Sequence, residues 1–388
     1  MVNLLAIGLD QTIMQKPTGV ASDTYLRQLK YAGILENYYV VVRTFNKVGR
    51  TPLQLTDNFW VYPTGSANKI SFIWDAVRIG SQICESSEVD VISTQDPFTT
   101  ALAGYILKWR YNIPLSIQFA GDMVDNPYWL REKWFYSLMN ALAKWLIRRG
   151  DTFRVVSVKE KEKLVEMGVP EDRIWNLGWI SDFSQFVETN GSNVRQRYLR
   201  NNFSKLVLFA GRLVAQKDLP TLLSAISIVL KKHPDVLSLI VGGGDNKEGE
   251  ARSLAKKLGI DSNVVFTGPI PYDQIPSYFA ACDLFVLPSV YEGNARVLAE
   301  AAAVEKPVVA TDVSGTRDTV IDGETGYIVP VGQPEALARG MTRLLDNPVR
   351  AAEMGGRARE HILALYDERR LLAGFAKLWE ATARLRKR

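Results

Sequence analysis

Two glutamates lie on either side of the start of a helix that the sequence predicts in the second half of the chain. Residues 284–288 form an apolar run typical of a buried strand, and a helix is expected to begin near Asn294. Asn is a favoured N-cap residue, so we expect Asn294 to cap this helix. Glu292 then lies on the loop at the carboxyl end of the strand, and Glu300 lies inside the helix.

A helix start between two carboxylates is suited to bind a phosphate group. Backbone N–H groups of residues 294–296 would be free beside the positive end of the helix dipole, and Gly293 would let the backbone approach a ligand closely. The alternative interpretation is that Glu292 is a solvated loop residue and that Glu300 is an exposed helix acid paired with Arg296. The spacing of these residues leaves both interpretations open.

Short β-branched runs alternate with helix-like segments along the chain, which is the pattern of parallel α/β folds. The predicted strands are 4–8, 39–43, 90–94, 115–119 and 153–157, then 206–210, 237–241, 264–267, 284–288 and 307–310. A polar stretch, 188–202, separates the two sets. We therefore expect two doubly wound domains, 1–187 and 188–366, with ligands bound at the carboxyl ends of the strands in a cleft between them. The segment 367–388 has apolar residues at helical spacing and predicts a docking helix.

The composition excludes several classes of protein. With 388 residues, 47% hydrophobic and 23% charged, the chain is neither disordered nor fibrous. Cys84 and Cys282 stand alone without a CxxC spacing, so neither a disulfide framework nor a zinc site is expected. The absence of a basic leader and of any apolar run of about 18 residues predicts a cytoplasmic protein without a membrane span. The net charge of +5 is concentrated in residues 369–388, which argues against nucleic-acid binding.

Three segments of the second half carry a resemblance to a known family. The residues from Glu292 keep the spacing of two glutamates with seven residues between them, continued by AAAVEKPVVATDVSGTRDTVIDGETGYIVP. The other two segments read FAGRLVAQKDLPTLLSAISIVLKKHP and LIVGGGDN followed by LGIDSNVVFTGPI. Together they resemble the family 4 (group 1) retaining glycosyltransferases of the GT-B fold. That fold has two Rossmann-like domains facing a cleft and a C-terminal helix that docks back on the N-terminal domain.

The resemblance implies an activity. It implies transfer of a hexose-type sugar from a UDP- or GDP-sugar to a glycan or lipid-linked acceptor, without a metal or other cofactor, in the synthesis of cell-surface glycans or glycolipids. The N-terminal domain would bind the acceptor and the C-terminal domain the nucleotide sugar. Donor base, donor sugar, acceptor, linkage and oligomeric state stay open.

The resemblance also implies roles for individual residues. Arg212 and Lys217 would hold the donor diphosphate, and Glu292 would lie by the transferred sugar, so these three are the expected catalytic residues. Two cations beside a leaving diphosphate stabilise the charge that grows in the transition state. Glu300 would accept hydrogen bonds from the donor ribose. The full set of expected donor-binding residues is Gly211, Gly243, Ile270, Gly293, Asn294, Ala295 and Glu300.

The chain departs from the family pattern at several positions. Asn294 and Ala295 replace the Phe and the Gly or Cys that many relatives have after the Glu-Gly pair. Ala120 stands where relatives commonly have a His near the donor sugar, and we expect Asp122 to take over the polar contact on the sugar or acceptor side. Gly19 stands alone where relatives often have two glycines.

The two histidines, His233 and His361, are expected to be structural or exposed rather than catalytic. A mechanism in which a histidine acts as acid or base therefore loses support. A mechanism in which the leaving phosphate assists the transfer gains support. The loss of the expected His also keeps an alternative function open, a catalytically silent subunit that binds a nucleotide sugar and supports a partner enzyme. An epimerase is disfavoured because it needs acid/base residues, and a dehydrogenase because no GxGxxG follows the first strand.

The segment 126–149 leaves two further interpretations open. Trp134, Leu138, Ala141 and Trp145 share one helical face in a segment rich in Arg and Lys. Such a combination is typical of peripheral membrane attachment, which would suit a lipid-anchored acceptor. It is also typical of a domain core helix with a solvated basic edge, and the sequence favours this second interpretation because an aromatic stripe is more often core.

Overall fold

The computed structural model describes residues 1–14, 23–45, 49, 51–200, 203–244 and 247–386 and forms two compact units. Unit 1 consists of Met1–Ser181 and Tyr366–Arg388, and unit 2 of Asp182–Leu365. The sequence predicts the corresponding boundaries after residues 187 and 366. Gly19, one of the expected acceptor-side residues, lies outside the described residues.

Unit 1 is built on a sheet in which, within the described residues, eight strands follow the order β3-β4-β2-β1-β5-β6-β7-β8. The strands are β1 (Asn3–Gly8), β2 (Asn37–Val42), β3 (Leu53–Thr56), β4 (Phe59–Pro63), β5 (Val91–Thr94), β6 (Leu115–Gln118), β7 (Thr152–Val155) and β8 (Ile174–Asn176). Strand β3 runs antiparallel to β4, and the remaining neighbours are parallel. The helices are α1 (Asp23–Ala32), α2 (Ser71–Ser86), α3 (Thr99–Tyr111), α4 (Pro127–Glu132), α5 (Tyr136–Ile147) and α6 (Val158–Glu166).

Unit 2 is built on a parallel sheet of six strands in the order β11-β10-β9-β12-β13-β14, counted in the part of the chain that is described. The strands are β9 (Lys205–Ala210), β10 (Val236–Val241), β11 (Val264–Gly268), β12 (Leu284–Leu287), β13 (Val308–Thr311) and β14 (Gly326–Val329). The helices are α7 (Ser184–Val187), α8 (Ser192–Tyr198), α9 (Leu219–Val229), α10 (Lys247–Lys257), α11 (Ile275–Ala281), α12 (Arg296–Ala303), α13 (Thr316–Thr319), α14 (Pro334–Asp346) and α15 (Pro348–Leu365).

All ten predicted strands are present, each within two residues of its predicted bounds. The central strands are buried along nearly their whole length because helices cover both faces of a parallel sheet, and this is why they read as continuous apolar runs. Strands β3, β4, β8 and β14 escape prediction because they are short and lie at or near the sheet edges.

The predicted docking helix is confirmed as α16 (Glu368–Ala383), which belongs to unit 1. Asp367 caps it by accepting a hydrogen bond from the N–H of Arg370 at 2.7 Å. Phe375 and Trp379 lie against the ring of Tyr31, with ring centroids 4.7 and 5.5 Å away. The helix therefore closes one side of the core of unit 1.

Both cysteines are free thiols. Burial raises the pKa of Cys84 to about 11 and that of Cys282 to about 12, so both stay protonated at neutral pH. Among the described helices, none combines the length and the apolar character needed to cross a membrane.

The chain order reverses direction once in each sheet. In unit 1 the strands after β1 lie on one side of it until β5 starts the other side, and in unit 2 the same happens at β9 and β12. The carboxyl ends at such a switch point diverge and leave a crevice, which is where open α/β sheets bind ligands. The loops after β1 and β5, and those after β9 and β12, are therefore the places to look for a site.

Candidate functional site

The loops after β9 and β12 meet at the switch point of unit 2. The first loop carries Arg212 and a short 3₁₀ turn, Ala215–Lys217, and the second runs on from β12 through Glu292. Because the two strands are neighbours, their loops are hydrogen bonded, with the N–H of Val290 donating to the carbonyl of Gln216 at 2.9 Å. Two regions more than 70 residues apart in sequence thus form one surface.

A buried ion pair lies at the centre of this surface. The Nζ of Lys217 donates to Oε1 of Glu292, and both side chains are buried. Ser289 donates to the same carboxylate oxygen at 2.6 Å. The Nε2 of Gln216 donates to the carbonyl of Tyr291 at 2.9 Å and lies 3.5 Å from the second carboxylate oxygen of Glu292. The carboxylate is therefore fixed from two sides by side chains of both loops.

A buried ion pair is weak evidence for a stabilising role. Desolvation of two charges offsets most of their attraction, and an apolar pair of similar volume is often as stable. Placement at a switch point instead favours a role in ligand binding. The interpretation of Glu292 as a solvated loop residue is wrong, because its side chain is buried and held by Lys217 and Ser289.

Glycines let the neighbouring loops of β9 and β10 come into contact. Gly242 has a φ of +134°, and a Cβ at this position would lie 1.9 Å from the carbonyl oxygen of Gly211. Only glycine is compatible with this backbone and this contact. Gly243 packs against Pro269, which precedes the half-buried Ile270 after β11. The loop residues expected to bind the donor thus lie side by side at the carboxyl ends of β9, β10 and β11.

The helix after Glu292 starts later than predicted. Helix α12 begins at Arg296, with Ala295 in the N-cap position and no side-chain cap, so the prediction that Asn294 is the cap is wrong. Gly315, with a φ of +78°, packs on this loop, and a Cβ there would lie 2.2 Å from the carbonyl oxygen of Gly293. This contact fixes residues 293–294 in a turn. The N–H of Arg296 donates to the carbonyl of Asn294 at 2.9 Å, so the prediction that this N–H is free for an anion is wrong.

Glu300 is buried inside α12 and is paired with Arg296, whose Nε lies 3.1 Å from Oε1. The predicted ion pair is confirmed, whereas the expectation of an exposed acid is wrong. Arg296 also donates to the hydroxyl of Tyr272 at 2.6 Å. Arg212 differs from these residues because it is exposed on its loop.

Three residues that position this site were missed in the sequence. Ser289 and Gln216 hold the carboxylate of Glu292 or its loop, and Gly315 supports the turn before α12. Ser289 stands three residues before Glu292 on the same loop, and this closeness in sequence is the available signal. Gln216 and Gly315 act from other loops and give no such local signal.

The switch point of unit 1 carries mostly neutral polar groups, together with the charged side chains of Asp10 and Arg27. A cavity of about 50 Å³ lies there, lined by Asp10, Gln95 and Gln118 among others. Gln95 accepts a hydrogen bond from the N–H of Leu9 at 2.6 Å. The buried hydroxyl of Thr94 and the indole N–H of Trp379 also line this cavity, and neither atom has a hydrogen-bond partner within the described residues. This edge has unused hydrogen-bonding capacity.

Asp10 is the one carboxylate in the lining of this cavity, in the part of the chain that is described. Burial raises its pKa, but hydrogen bonds from Thr24 and Thr12 outweigh burial and hold the pKa below the ordinary value. The hydroxyls of Thr12 and Thr24 each donate a hydrogen bond of 2.7 Å to the carboxylate of Asp10. Asp10 is therefore ionised at neutral pH, and no motif in the sequence singles it out.

Asp122, expected on the sugar or acceptor side, is engaged in local contacts. It pairs with Lys163 of α6 and accepts a hydrogen bond from Asn126 at 3.1 Å. Ala120 is half-buried two residues earlier. Asp122 therefore organises the loop after β6, and its expected contact with a sugar stays a prediction.

Glu160 of α6 lies near Asp122 and Lys163 and is buried. Burial raises its pKa to about 8, and a hydrogen bond at 3.0 Å from the N–H of Val156 lowers it only in part. Glu160 keeps its proton at neutral pH, in contrast to Asp10.

Both histidines are structural, as predicted. His233 lies buried between Asp346, at 3.0 Å, and Lys205, and His361 contacts the carbonyl of Asp318 at 3.0 Å. Among the described residues, three or more His, Cys, Asp or Glu side chains nowhere converge in an arrangement that could hold a metal ion.

Comparison with known proteins places both units in families. The model for glycosyl transferases group 1 matches residues 192–361, and that for a glycosyl transferase 4-like domain matches residues 41–175. A crystal structure of the Anabaena protein HepE in complex with UDP superposes with a TM-score of 0.74 at 19% identity, covering 98% of this chain and 100% of that one. The two Rossmann-like units are therefore those of the GT-B fold.

Curated relatives align with part of the chain. The alpha-D-kanosaminyltransferase of Streptomyces kanamyceticus is 26% identical over 255 residues, 63% of this chain and 64% of that protein. The GDP-mannose-dependent alpha-(1-6)-phosphatidylinositol monomannoside mannosyltransferase of Mycolicibacterium smegmatis is 34% identical over 194 residues, 48% of this chain and 50% of that protein. This chain thus spans less than about two thirds of the length of these relatives.

Proposed function

This chain belongs to the group 1 glycosyl transferases, and we propose that it moves a hexose-type sugar from a UDP- or GDP-sugar to a glycan or lipid-linked acceptor. The transfer retains the anomeric configuration and uses no metal ion or other cofactor. Unit 2 binds the nucleotide sugar and unit 1 binds the acceptor. The reaction serves the synthesis of cell-surface glycans or glycolipids on the cytoplasmic side of the membrane.

The observation that carries the proposal is the buried pair of Lys217 and Glu292 at the switch point of unit 2, within the residues matched by the group 1 model. When the bond between the sugar and the diphosphate breaks, negative charge grows on the leaving phosphate. Lys217 and the exposed Arg212 lie on one loop and supply two positive charges to that phosphate. They take the place that a divalent metal ion would otherwise fill.

Glu292 is proposed to face the transferred sugar. Its carboxylate is held by Ser289 and Lys217, so it is oriented before the donor binds, and a preorganised charge needs little rearrangement during reaction. Glu300, buried one turn into α12, is proposed to accept hydrogen bonds from the donor ribose. The base is proposed to lie near Ile270.

The proton of the acceptor hydroxyl needs a destination. Ala120 offers no base at the position where many relatives have a histidine, and both histidines of the chain are engaged elsewhere. We assign the proton to the oxygen of the leaving diphosphate. The bond from the anomeric carbon to that oxygen breaks, the acceptor oxygen bonds to the same face of the sugar, and the phosphate leaves protonated.

Similar proteins support each of the two proposed donor nucleotides, UDP and GDP. The name of the Mycolicibacterium relative states that it depends on GDP-mannose, and the Anabaena structure contains UDP. The experiment is a thermal-shift screen with EDTA present, against UDP, GDP, ADP and their sugar conjugates. A ligand at about 100 times its Kd stabilises the folded protein by about 2.7 kcal/mol, so the donor series is expected to raise the Tm by several degrees.

Stabilisation by a nucleotide series followed by release of the nucleoside diphosphate from its sugar conjugate supports the enzyme. Stabilisation without any turnover, in the presence of a range of acceptors, would favour the silent binding subunit instead. No stabilisation by any nucleotide would contradict the proposal.

A further inference from the structure

The face of α5 that the sequence favours as core is exposed. Trp134, in the turn just before α5, is 89% exposed and Leu138 is 70% exposed, and Ala141 and Trp145 continue the stripe on the surface. The buried face of α5 is formed by other residues, Ala143, Leu146 and Ile147. The core-helix interpretation of the stripe is therefore wrong. We call the exposed stripe of Trp134, Leu138, Ala141 and Trp145 the α5 face.

The α5 face is continued by the neighbouring helix α3. The ring of Tyr105 meets that of Trp145 edge to face, with centroids 5.0 Å apart. Trp109, one turn further along α3, is 80% exposed. Three tryptophans and a leucine on two adjacent helices and the turn before α5 exceed the scattered single apolar residues that are normal on a protein surface.

The α5 face is held on a rigid base. Trp129 of α4 is buried and stacks on Tyr136 at 4.2 Å and on Phe98 at 5.3 Å. Asn126 caps α4 by accepting hydrogen bonds from the N–H groups of Tyr128 and Trp129. The exposed side chains are therefore presented by well-packed helices and by the short turn that joins α4 to α5.

Positive charge surrounds the α5 face. Residues 127–149 contain five Lys or Arg and one acid, Glu132, for a net charge of +4, against +5 for the whole chain. Arg131, Lys133 and Arg148 are exposed, and the guanidinium of Arg149 lies 3.8 Å from the centre of the Trp145 ring. The surface thus combines aromatic and aliphatic groups with a strong excess of cations.

We infer that the α5 face docks onto the surface of a bilayer that contains anionic lipid. Tryptophan favours the interface between water and hydrocarbon, and Lys and Arg near a membrane surface are attracted by anionic headgroups. The charge excess argues against a second copy of this chain, because pairing would bring like charges together. The inference rests on residues of unit 1 that have no part in the proposed donor site. If the acceptor is lipid-linked, docking brings the enzyme to it.

The test is co-sedimentation of the full chain with vesicles of two compositions, phosphatidylcholine alone and with about one third phosphatidylglycerol. We expect binding to the anionic vesicles, weak binding to the neutral ones, and release at about 0.5 M salt because charge attraction is screened. The double variant Trp134→Ser/Leu138→Ser is expected to bind about tenfold less. Arg131→Gln/Lys133→Gln is expected to lose the preference for anionic lipid.

The matched control is Val349→Ser/Leu363→Ser, which removes two exposed apolar side chains from α15 in unit 2 and should bind vesicles like the wild type. All these positions are exposed, so thermal melting should be unchanged and loss of folding is not an explanation.

Failure of the wild type to bind anionic vesicles, or equal loss in the control variant, would overturn the inference. So would a dimer in sedimentation velocity that Trp134→Ser/Leu138→Ser dissolves, since the α5 face would then join two copies. Nucleotide binding is expected to be unchanged in every variant, which separates this test from that of the donor site.

Discussion

The two units place different chemistry at the same point of their sheets. At the switch point of unit 2, between β9 and β12, a lysine and a glutamate are buried against each other. At the switch point of unit 1, between β1 and β5, the polar groups that line the cavity are amides, hydroxyls, the carboxylate of Asp10 and the guanidinium of Arg27. The backbone arrangement is alike, so the side chains on the loops decide what each edge can bind.

A buried glutamate in each unit also differs in the partner of its carboxyl group. Glu292 in unit 2 has a cation as its direct partner. Glu160 in unit 1 accepts a backbone N–H at one oxygen, while its Oε1 has no hydrogen-bond partner among the described residues. A buried charge pair suits a ligand that develops charge, such as a diphosphate, whereas a polar lining made mostly of amides and hydroxyls suits hydroxyl groups. The comparison supports donor binding by unit 2 and acceptor binding by unit 1.

The largest expected effect follows from Glu292→Gln. The variant keeps the shape of the side chain but loses the charge held beside the sugar, so transfer should fall by about 10³-fold, or about 4 kcal/mol. Nucleoside diphosphate binding, measured by calorimetry, should stay within a few-fold of the wild type. Glu305→Gln, at an exposed acid paired with Arg359, is the control and should transfer normally. Transfer at the wild-type rate in Glu292→Gln would remove this residue from the mechanism.

Breaking the pair from the other side should reduce both binding and stability. Lys217→Met leaves the Glu292 charge buried without its cation, which should lower the free energy of unfolding by roughly 3–5 kcal/mol and weaken donor binding. The double variant Lys217→Met/Glu292→Gln removes both charges and should recover most of that stability, although not the activity. Urea denaturation measures all three. A double variant as unstable as the sum of the single ones would show that the two residues do not act as a pair.

Glu160→Gln tests the buried glutamate of unit 1. The pKa of Glu160 is about 8 in the folded protein against an ordinary value of 4.5. Between these pH values the unfolded chain is ionised while the folded protein keeps the proton, so the wild type loses stability as pH rises through this window. The variant should therefore be more stable than the wild type by roughly 2–4 kcal/mol at about pH 8, and similar to it at about pH 4.5. Equal pH dependence of melting in both proteins would contradict the assignment.

The smallest effects are expected for substitutions of two buried threonines, each at the end of a strand. The hydroxyl of Thr311 in unit 2 donates to the carbonyl of Ser289 at 2.5 Å, whereas that of Thr94 in unit 1 has no partner among the described residues. Thr311→Val should therefore cost about 1 kcal/mol of stability, and Thr94→Val should cost nothing or stabilise. If Thr94 serves the acceptor, Thr94→Val should also raise the KM for the acceptor several-fold. Equal destabilisation by the two variants would show that the hydroxyl of Thr94 is satisfied.

The residues proposed for the site of unit 2 were named from the family resemblance, and their position on loops that follow strands could be predicted from the sequence. Lys217 and Glu292 come after strongly apolar runs, and parallel strands bring their carboxyl ends to the same edge. The partners Gln216 and Gly315 could not be predicted, because they contact Glu292 or its loop from other loops. The prediction that Asn294 caps α12 was wrong for the same reason. Gly315 packs on residues 293–294 from another loop, and the N-cap position is Ala295.

The α5 face shows what periodicity leaves open. Leu138, Ala141 and Trp145 lie in α5 at the predicted helical spacing, whereas Trp134 lies in the turn between α4 and α5, and helical spacing states only that residues share a face. The opposite face, with Ala143, Leu146 and Ile147, is apolar as well and packs on the core. Which of two apolar faces is buried depends on the neighbouring helices, and these are far away in sequence.

The central claim is that the switch point of unit 2 is the nucleotide-sugar site, and Arg212→Ala tests it most directly. Arg212 is exposed, so its loss should leave thermal melting of the free protein unchanged. Calorimetric titration with UDP and GDP in the presence of EDTA should show one binding site in the wild type and an affinity about tenfold lower in Arg212→Ala, because a cation beside the diphosphate is lost. Binding of neither nucleotide to the wild type, or equal affinity in both proteins, would contradict the claim.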